Sequence, residues 1–144
     1  MSVELLKSVY ARLTSNDGGA PPDYNDFYDA VGGRIYALEA PPETSFPFCV
    51  YNTDQPDVEH FFGNRQRLTS MLTIDVIGTT EAGASALMDV ETKLYAHLDL
   101  QELACTGFDR LRIRAIQRGS IEFDGGEQYR ISSIFEMIAT STGA

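Results

Sequence analysis

Apolar and polar residues alternate most regularly between Arg67 and Ile77, and this alternation predicts a long strand. A two-residue period that is rich in β-branched side chains is typical of a strand with one buried face. The residues on the face that is expected to be buried are Leu68, Leu72, Ile74 and Val76. Gly78 interrupts the alternation, so we expect the strand to end there.

After Gly78 the apolar period lengthens and predicts one long amphipathic helix that ends near Leu100. Residues three and four apart share a helix face. The apolar stripe consists of Leu87, Val90, Leu94 and Leu98. Thr79 or Thr80 is expected to cap this helix, and Glu81 is expected to lie in its first turn, where the helix dipole favours a carboxylate.

Glu91 is the polar exception, because it falls in the middle of that apolar stripe. An isolated buried carboxylate is energetically costly and needs a partner. Two interpretations are open. Either the stripe consists of two lobes between which Glu91 reaches solvent, or Glu91 meets an arginine across a contact between subunits.

The N-terminal third predicts two more helices, from Val3 to Ser15 and from Tyr24 to Val31. The second helix is followed by Gly32 and Gly33, either of which can adopt the left-handed conformation that ends a helix. A strand is then expected over residues 47–53. The segment from Asp54 to Asn64 is interpreted as a projecting hairpin arm because an aromatic pair precedes a Gly-Asn turn signal.

The arm carries the residues that we regard as candidates for contact with a partner. Phe61 and Phe62 would be unfavourable on the surface of a monomer and useful at an interface. The acids Asp54 and Asp57 belong to the same candidate surface. Together with Glu59 and His60 these acids are of the types that bind a divalent cation. Their spacing matches no known metal-binding loop, so a solvated acidic loop is the favoured interpretation and no metal site is predicted.

A basic strand follows the long helix, which is separated from it by a predicted loop over residues 100–107. Arg110, Arg112 and Arg114 alternate with apolar residues, and Arg118 extends the series. Like charges at this spacing repel each other unless acids stand opposite. We call these four residues the arginine ladder. It is either a solvated strand face or a surface that meets the acidic side of a neighbouring subunit.

The remaining C-terminal part predicts a break at Gly119, a hairpin turn at Asp124-Gly125, and a last strand over residues 128–139. The order of elements indicates one α+β domain spanning residues 1–144, in which a mostly antiparallel sheet is backed by two main helices. A chain of this length can bury a substantial core.

The net charge of −10 limits the classes of partner. Residues 1–60 hold ten acids against three bases, which gives −7 and leaves −3 for the rest. Binding to nucleic acid through phosphates requires clustered cations, so no such binding is expected. No apolar run approaches the length of a membrane span, no secretory signal is apparent, and Cys49 and Cys105 have no metal-binding spacing.

Motifs for chemistry are missing from the sequence. It contains no nucleophile elbow, phosphate-binding loop, dinucleotide fingerprint or zinc-protease motif. His60 and His97 are the only histidines, and we interpret His97 as a hydrogen-bonded structural residue. We therefore predict a protein that is not an enzyme and has no catalytic residues and no cofactor.

Four segments together resemble a known family. They are LLKSVYARL, VGGRIYALEAPPETSFPFCVYN, LTIDVIGTTEAGASALMDVETKLYAHLD and YRISSIFEMIA. In their order, the chain resembles the tail terminator, or tail-completion, proteins of long-tailed bacteriophages. The likeness covers most of the chain, although the arm and the arginine ladder match no pattern of that family.

The resemblance implies a structural virion protein that is assembled in the host cytoplasm and lies in the tail–neck region. It would form a homo-hexameric ring on the tail tube protein, stop tube polymerisation and present a surface to the neck or head-completion protein, while DNA passes through without specific binding. The alternatives are a head-side neck or connector component and, from another class, a small cytoplasmic enzyme or ligand-binding domain.

Overall fold

The computed structural model describes residues 3–14, 26–54, 57–61, 65–103, 105, 107–119, 121–123 and 128–141. The helices of this part are α1 (Val3–Thr14), α2 (Asp26–Ala30) and α3 (Ala84–Leu98). The strands are β1 (Ile35–Ala37), β2 (Phe48–Thr53), β3 (Asp57–Phe61), β4 (Arg65–Thr79), β5 (Gln101–Leu103), β6 (Arg110–Gln117), β7 (Ile121–Phe123) and β8 (Gln128–Ser141).

The two longest strands, β4 and β8, form the antiparallel centre of a single sheet. The strand order is β1-β2-β4-β8-β6-β5. The outer side of β4 is shared by β2, which pairs with its C-terminal half, and by β3, which pairs with its N-terminal half. In the same way β7 and β6 share the outer side of β8. Apart from the parallel pair β1–β2 the sheet is antiparallel, which confirms the α+β prediction.

One face of the sheet and the helices enclose the core. The predicted strand face is buried from Leu72 to Val76, and the predicted helix stripe packs against it. Burial of this apolar surface stabilises the fold at about 25 cal/mol per Å². The core residues contributed by α1, by α2 and by the turn after α2 are Leu5, Val9, Leu13, Phe27 and Val31. The sheet is thus covered on one face by two long helices and one short helix.

The connection between β4 and α3 differs from the prediction. The strand continues through Gly78, which pairs with Tyr129 of β8, so the ladder of backbone hydrogen bonds overrides the local break. The helix begins at Ala84 after Gly83, and no side chain caps it. Thr79 instead accepts a hydrogen bond from the Ala82 backbone N–H (3.1 Å) within the preceding turn. Thr80 and Glu81 also precede the helix.

The predicted loop over residues 100–107 contains the short strand β5, which pairs with β6. Three residues are too few for an alternating pattern to be recognised. Gly32 and Gly33 have φ values of 59° and 73°, as expected for a helix stop. Cys49 is buried and Cys105 is half-buried, and neither forms a disulfide bond. None of the described helices is long and apolar enough to cross a membrane.

Gly119 marks the end of the basic strand, as predicted. A Cβ atom placed at this position would lie 2.1 Å from the backbone oxygen of Ser132. The close approach of two backbones therefore requires glycine here. Just before it, β6 carries a bulge between Ala115 and Gln117, where one extra residue is inserted opposite β8.

Candidate assembly surface

The second face of the sheet carries no helix in the part of the chain that the structure describes, and we call it the open face. Side chains directly opposite each other in paired strands share a face. The open face therefore presents, on its central strands, Thr69, Met71, Thr73, Asp75, Ser132, Ile134, Glu136 and Ile138. All of these are half-buried rather than exposed. The segment 38–46 lies beside one end of the open face. Together with Asp75 and Arg130 it lines a cavity of about 640 Å³.

The arginine ladder lies along the β6 side of the open face, and two of its members bind acids of the neighbouring strands. Arg110 donates to Glu102 of β5 (3.0 Å), and Arg114 donates to Glu136 of β8 (2.8 Å). Arg112 is exposed and has no ion-pair partner among the described residues. The strand register places Glu102 directly opposite Arg112 as well, so the repulsion that the sequence implied is offset within the chain.

Arg118 does not belong to the ladder, which corrects the prediction. The bulge in β6 inserts one residue and moves later side chains to the opposite face of the sheet. Arg118 consequently reaches the helix side, where its guanidinium binds both carboxylate oxygens of Glu91 at 3.0 and 2.6 Å. Glu91 is only 6% exposed. It therefore neither reaches solvent nor depends on another subunit, because its arginine comes from the same chain.

The same arginine joins a polar network at the C-terminal end of α3. The Arg118 guanidinium lies 4.4 Å from the centre of the Tyr95 ring, a cation–π distance. A hydrogen bond to Asp99 raises the pKa of Tyr95, and the bond to Glu91 raises the pKa of Arg118. Asp99 also accepts from the Ala115 backbone N–H (2.7 Å). The strand β5 does not extend far enough to pair with Ala115, so the Asp99 carboxylate takes the place of a strand partner for this backbone N–H.

The predicted arm is a hairpin in which β3 pairs with the start of β4. Asp54 anchors its base by accepting from the Ser70 hydroxyl and the Met71 backbone N–H, both at 2.8 Å. Asp57 is exposed and has no ion-pair partner among the described residues. The side chain of Phe61 and the whole of Phe62 lie outside the described residues, so their proposed contact role stays a prediction.

The other acids of the arm do not gather around a common point. Glu59 forms an ion pair with Arg67 of β4 at 2.9 Å. Within the described ranges, no group of three or more carboxylate, histidine or cysteine side chains is placed to hold a metal ion. His97 lies away from the arm, and its Nε2 atom is 2.6 Å from the Arg12 carbonyl oxygen. This contact agrees with the structural role that was expected of His97.

Two exposed apolar side chains near β6 were missed by the sequence interpretation. Leu100 is 80% exposed and has a φ of 59°, which is uncommon for a residue other than glycine. It borders a groove of about 500 Å³ with Arg112 and Ile138. Ile116, at the β6 bulge, is 47% exposed. The sequence offered a sign of the exposure of Leu100, because this residue lies beyond Leu98, the last residue of the apolar stripe. The exposure of Ile116 depends on the bulge, which the sequence does not reveal.

The geometry defines a class of protein: an α+β domain with helices on one face of the sheet and an ion-paired, uncovered second face. A solved structure of the same fold is a chain from the virion of a native gene transfer agent (GTA) particle. It matches with a TM-score of 0.68 at 15% identity, over 97% of this chain and 100% of that chain.

A second solved structure, whose name states no function, matches with a TM-score of 0.66 at 11% identity, over 96% of both chains. No family model and no curated protein matches the sequence. At these identities the likeness establishes the fold.

Proposed function

We propose that this chain is a structural virion protein of a phage-like particle and forms the hexameric tail-terminator ring. In this role it caps the tail tube, stops its polymerisation and forms the surface that joins tail to head. The observation that carries the proposal is the full-length similarity in fold to a chain of a gene transfer agent virion. The order of sequence segments that resembles tail terminators supports the more specific role.

The charge of the chain suits this role. Six copies with a net charge of −10 carry roughly −60 in total. A channel formed by such a ring repels DNA phosphates, so DNA passes through without being held. The same charge disfavours a role that depends on gripping nucleic acid.

The exposed features of the open face supply a basis for assembly. The arginine ladder, the groove beside Leu100 and the arm are on the surface of the single chain. We propose that the ladder and the arm take part in contacts between ring subunits, and that the tail tube protein and the neck protein bind the two rims of the ring. Glu91 and Arg118 are assigned to the fold of the subunit instead.

The experiment measures mass in solution and then tube growth. Purified protein is examined by light scattering and by negative-stain microscopy, alone and mixed with the tail tube protein of the same particle. We expect six-fold rings at tube ends and tubes that stop growing when the protein is added. The variant R112E/R114E should form rings less well, because the reversed charges weaken the contact between subunits; an unchanged assembly state would show that the ladder is only a solvated surface.

Other outcomes identify the alternatives. Rings that bind capsid portals but leave tube growth unchanged would indicate a head-side connector and refute the terminator role. A protein that stays monomeric with tubes and capsids would refute the ring altogether. In that case the cavity beside Asp75 and Arg130 would be the place to look for a small ligand.

A further inference from the structure

We propose that the cavity between the segment 38–46 and the open face binds an arginine side chain on an extended segment of a partner protein. The inference goes beyond the proposed ring and does not depend on it. The cavity has a volume of about 640 Å³, within the ~300–1,000 Å³ of typical ligand sites. This volume exceeds that of one side chain, so residues on either side of the arginine also have room. The lining combines two aromatic rings with three carboxylates.

The segment 38–46 forms one wall of the cavity and is fastened at both ends. At its start the Leu38 backbone N–H donates to the Tyr51 carbonyl oxygen (2.9 Å). Just after its end the Arg34 guanidinium donates to the Pro47 carbonyl oxygen (3.0 Å). Leu38 also has a φ of 70°, a conformation that is uncommon for a residue other than glycine and persists where surrounding contacts hold it. These contacts give the wall a defined position opposite the sheet.

Two aromatic rings stand side by side in the cavity. The ring centres of Phe46 and Phe48 are 5.5 Å apart, with planes inclined at 36°. Phe46 is 37% exposed, which is unusual for a large apolar side chain without a function. A guanidinium is planar and weakly hydrated, so it stacks on the face of an aromatic ring, while its aliphatic stem packs on apolar surface. The pair therefore suits an arginine better than a compact ammonium group.

Asp75 provides a carboxylate on the sheet side of the cavity, and its side chain is only 24% exposed. One of its oxygens accepts from the Ser132 hydroxyl (2.6 Å). The other lies 3.7 Å from a guanidinium nitrogen of Arg130, which is longer than a hydrogen bond. A carboxylate has about four acceptor sites, so Asp75 can accept from a further donor. Its partial burial strengthens any charge pair formed there.

The charge of the lining favours a cation over an anion. Of the described residues that line the cavity, Glu39, Glu43 and Asp75 are acids and Arg130 is a base, which gives −2. The strand register also places Arg130 opposite Glu122 of β7. A cleft lined mostly by one sign of charge attracts the opposite sign. Acidic groups beside aromatic rings thus define a site for a guanidinium.

The experiment measures binding of the peptide acetyl-Gly-Val-Arg-Val-Gly-amide to the full chain by saturation-transfer NMR, which detects weak binding and tolerates the size of an assembly. The matched probes carry citrulline, which is neutral but similar in shape, or lysine in place of arginine, and free spermidine is the small-cation probe. The variants are D75N, E43Q and F46A. The control is D89N, an equal change of charge on α3, where Asp89 pairs with Lys93. Thermal denaturation tests whether each variant is folded.

We expect the arginine peptide to bind about tenfold more tightly than the citrulline peptide, because only arginine brings a charge to Asp75. The lysine peptide should lie between them. D75N should weaken binding of the arginine peptide about tenfold, F46A about threefold and E43Q about twofold, whereas D89N should leave it unchanged.

Equal binding of the arginine and citrulline peptides, no binding at all, or binding that F46A and E43Q leave unchanged would overturn the proposal, and the last two variants decide the matter even where D75N does not fold. Spermidine that binds as tightly as the arginine peptide would assign the cavity to small cations and refute a partner segment. Ring formation by the same samples is measured separately, so failure of this site leaves the proposed function intact, and failure to form rings leaves the site intact.

Discussion

Replacing Arg118 with alanine tests the claim that Glu91 is a buried carboxylate held by one arginine of its own chain. Both oxygens of Glu91 accept from this guanidinium, and the Glu91 side chain is 8% exposed. Breaking a buried ion pair costs about 3–5 kcal/mol. The Arg118 side chain is 48% exposed, so water can reach the pair. We therefore expect a smaller loss of about 2 kcal/mol.

For a chain of 144 residues, a loss of 1 kcal/mol lowers Tm by roughly 3 °C, so R118A should melt about 6 °C below the wild type. The assay is thermal denaturation followed by circular dichroism. It is performed at one fixed protein concentration, because assembly also raises apparent stability.

The matched control is R114A, which removes the partner of Glu136 on the open face. The Arg114 side chain is 59% exposed, and we expect a loss of only about 0.5 kcal/mol, or ~2 °C. The variant R118K should lie between the wild type and R118A, because lysine keeps the charge but not the two-pronged geometry. Equal losses in R118A and R114A, or an unchanged Tm in R118A, would show that the reasoning about Glu91 is wrong.

Two further predictions concern the backbone and the pH dependence of stability. G119A should lose about 3 kcal/mol or more in a denaturation experiment, because its Cβ would meet a backbone oxygen of β8. G78A is the control and should lose about 1 kcal/mol, since its Cβ would meet only the flexible side-chain end of Leu87; similar values for the two would contradict this account. Burial raises the pKa of Cys49 above its usual 9.0, and it raises the pKa of Tyr51 from 10.0 to about 12. Both groups are neutral in the folded state, so their stabilisation is complete below pH 9 and is lost as pH rises towards 12. The urea midpoint should therefore fall above pH 9, less steeply in C49A, and a midpoint that is constant to pH 11 would refute the prediction.

The sequence predicted best where a repeating pattern was long. The central strand and the long helix have enough residues for their periods to be distinguished, and both occur with the expected buried faces. The antiparallel pairing within the arm was also predicted correctly, whereas its turn signal at Gly63 and Asn64 lies outside the described residues. Where pairing partners decide the structure, local patterns failed: β4 passes through Gly78, and β5 occupies a predicted loop.

The candidate site was predicted only in part. The alternation of three arginines was visible in the sequence, but the acids that face Arg110 and Arg114 come from other strands. Arg118 was assigned to the wrong face, because a bulge changes the side-chain direction without a recognisable signal.

The sequence by itself determined the long elements, the class of fold and the acidic charge, because these depend on local periodicity and composition. The tertiary structure alone decided which charges are paired, which face of the sheet stays open, and which residues lie in one row across its strands. Strand register brings together residues distant in the chain, and a single inserted residue reverses the side of the sheet on which a side chain lies.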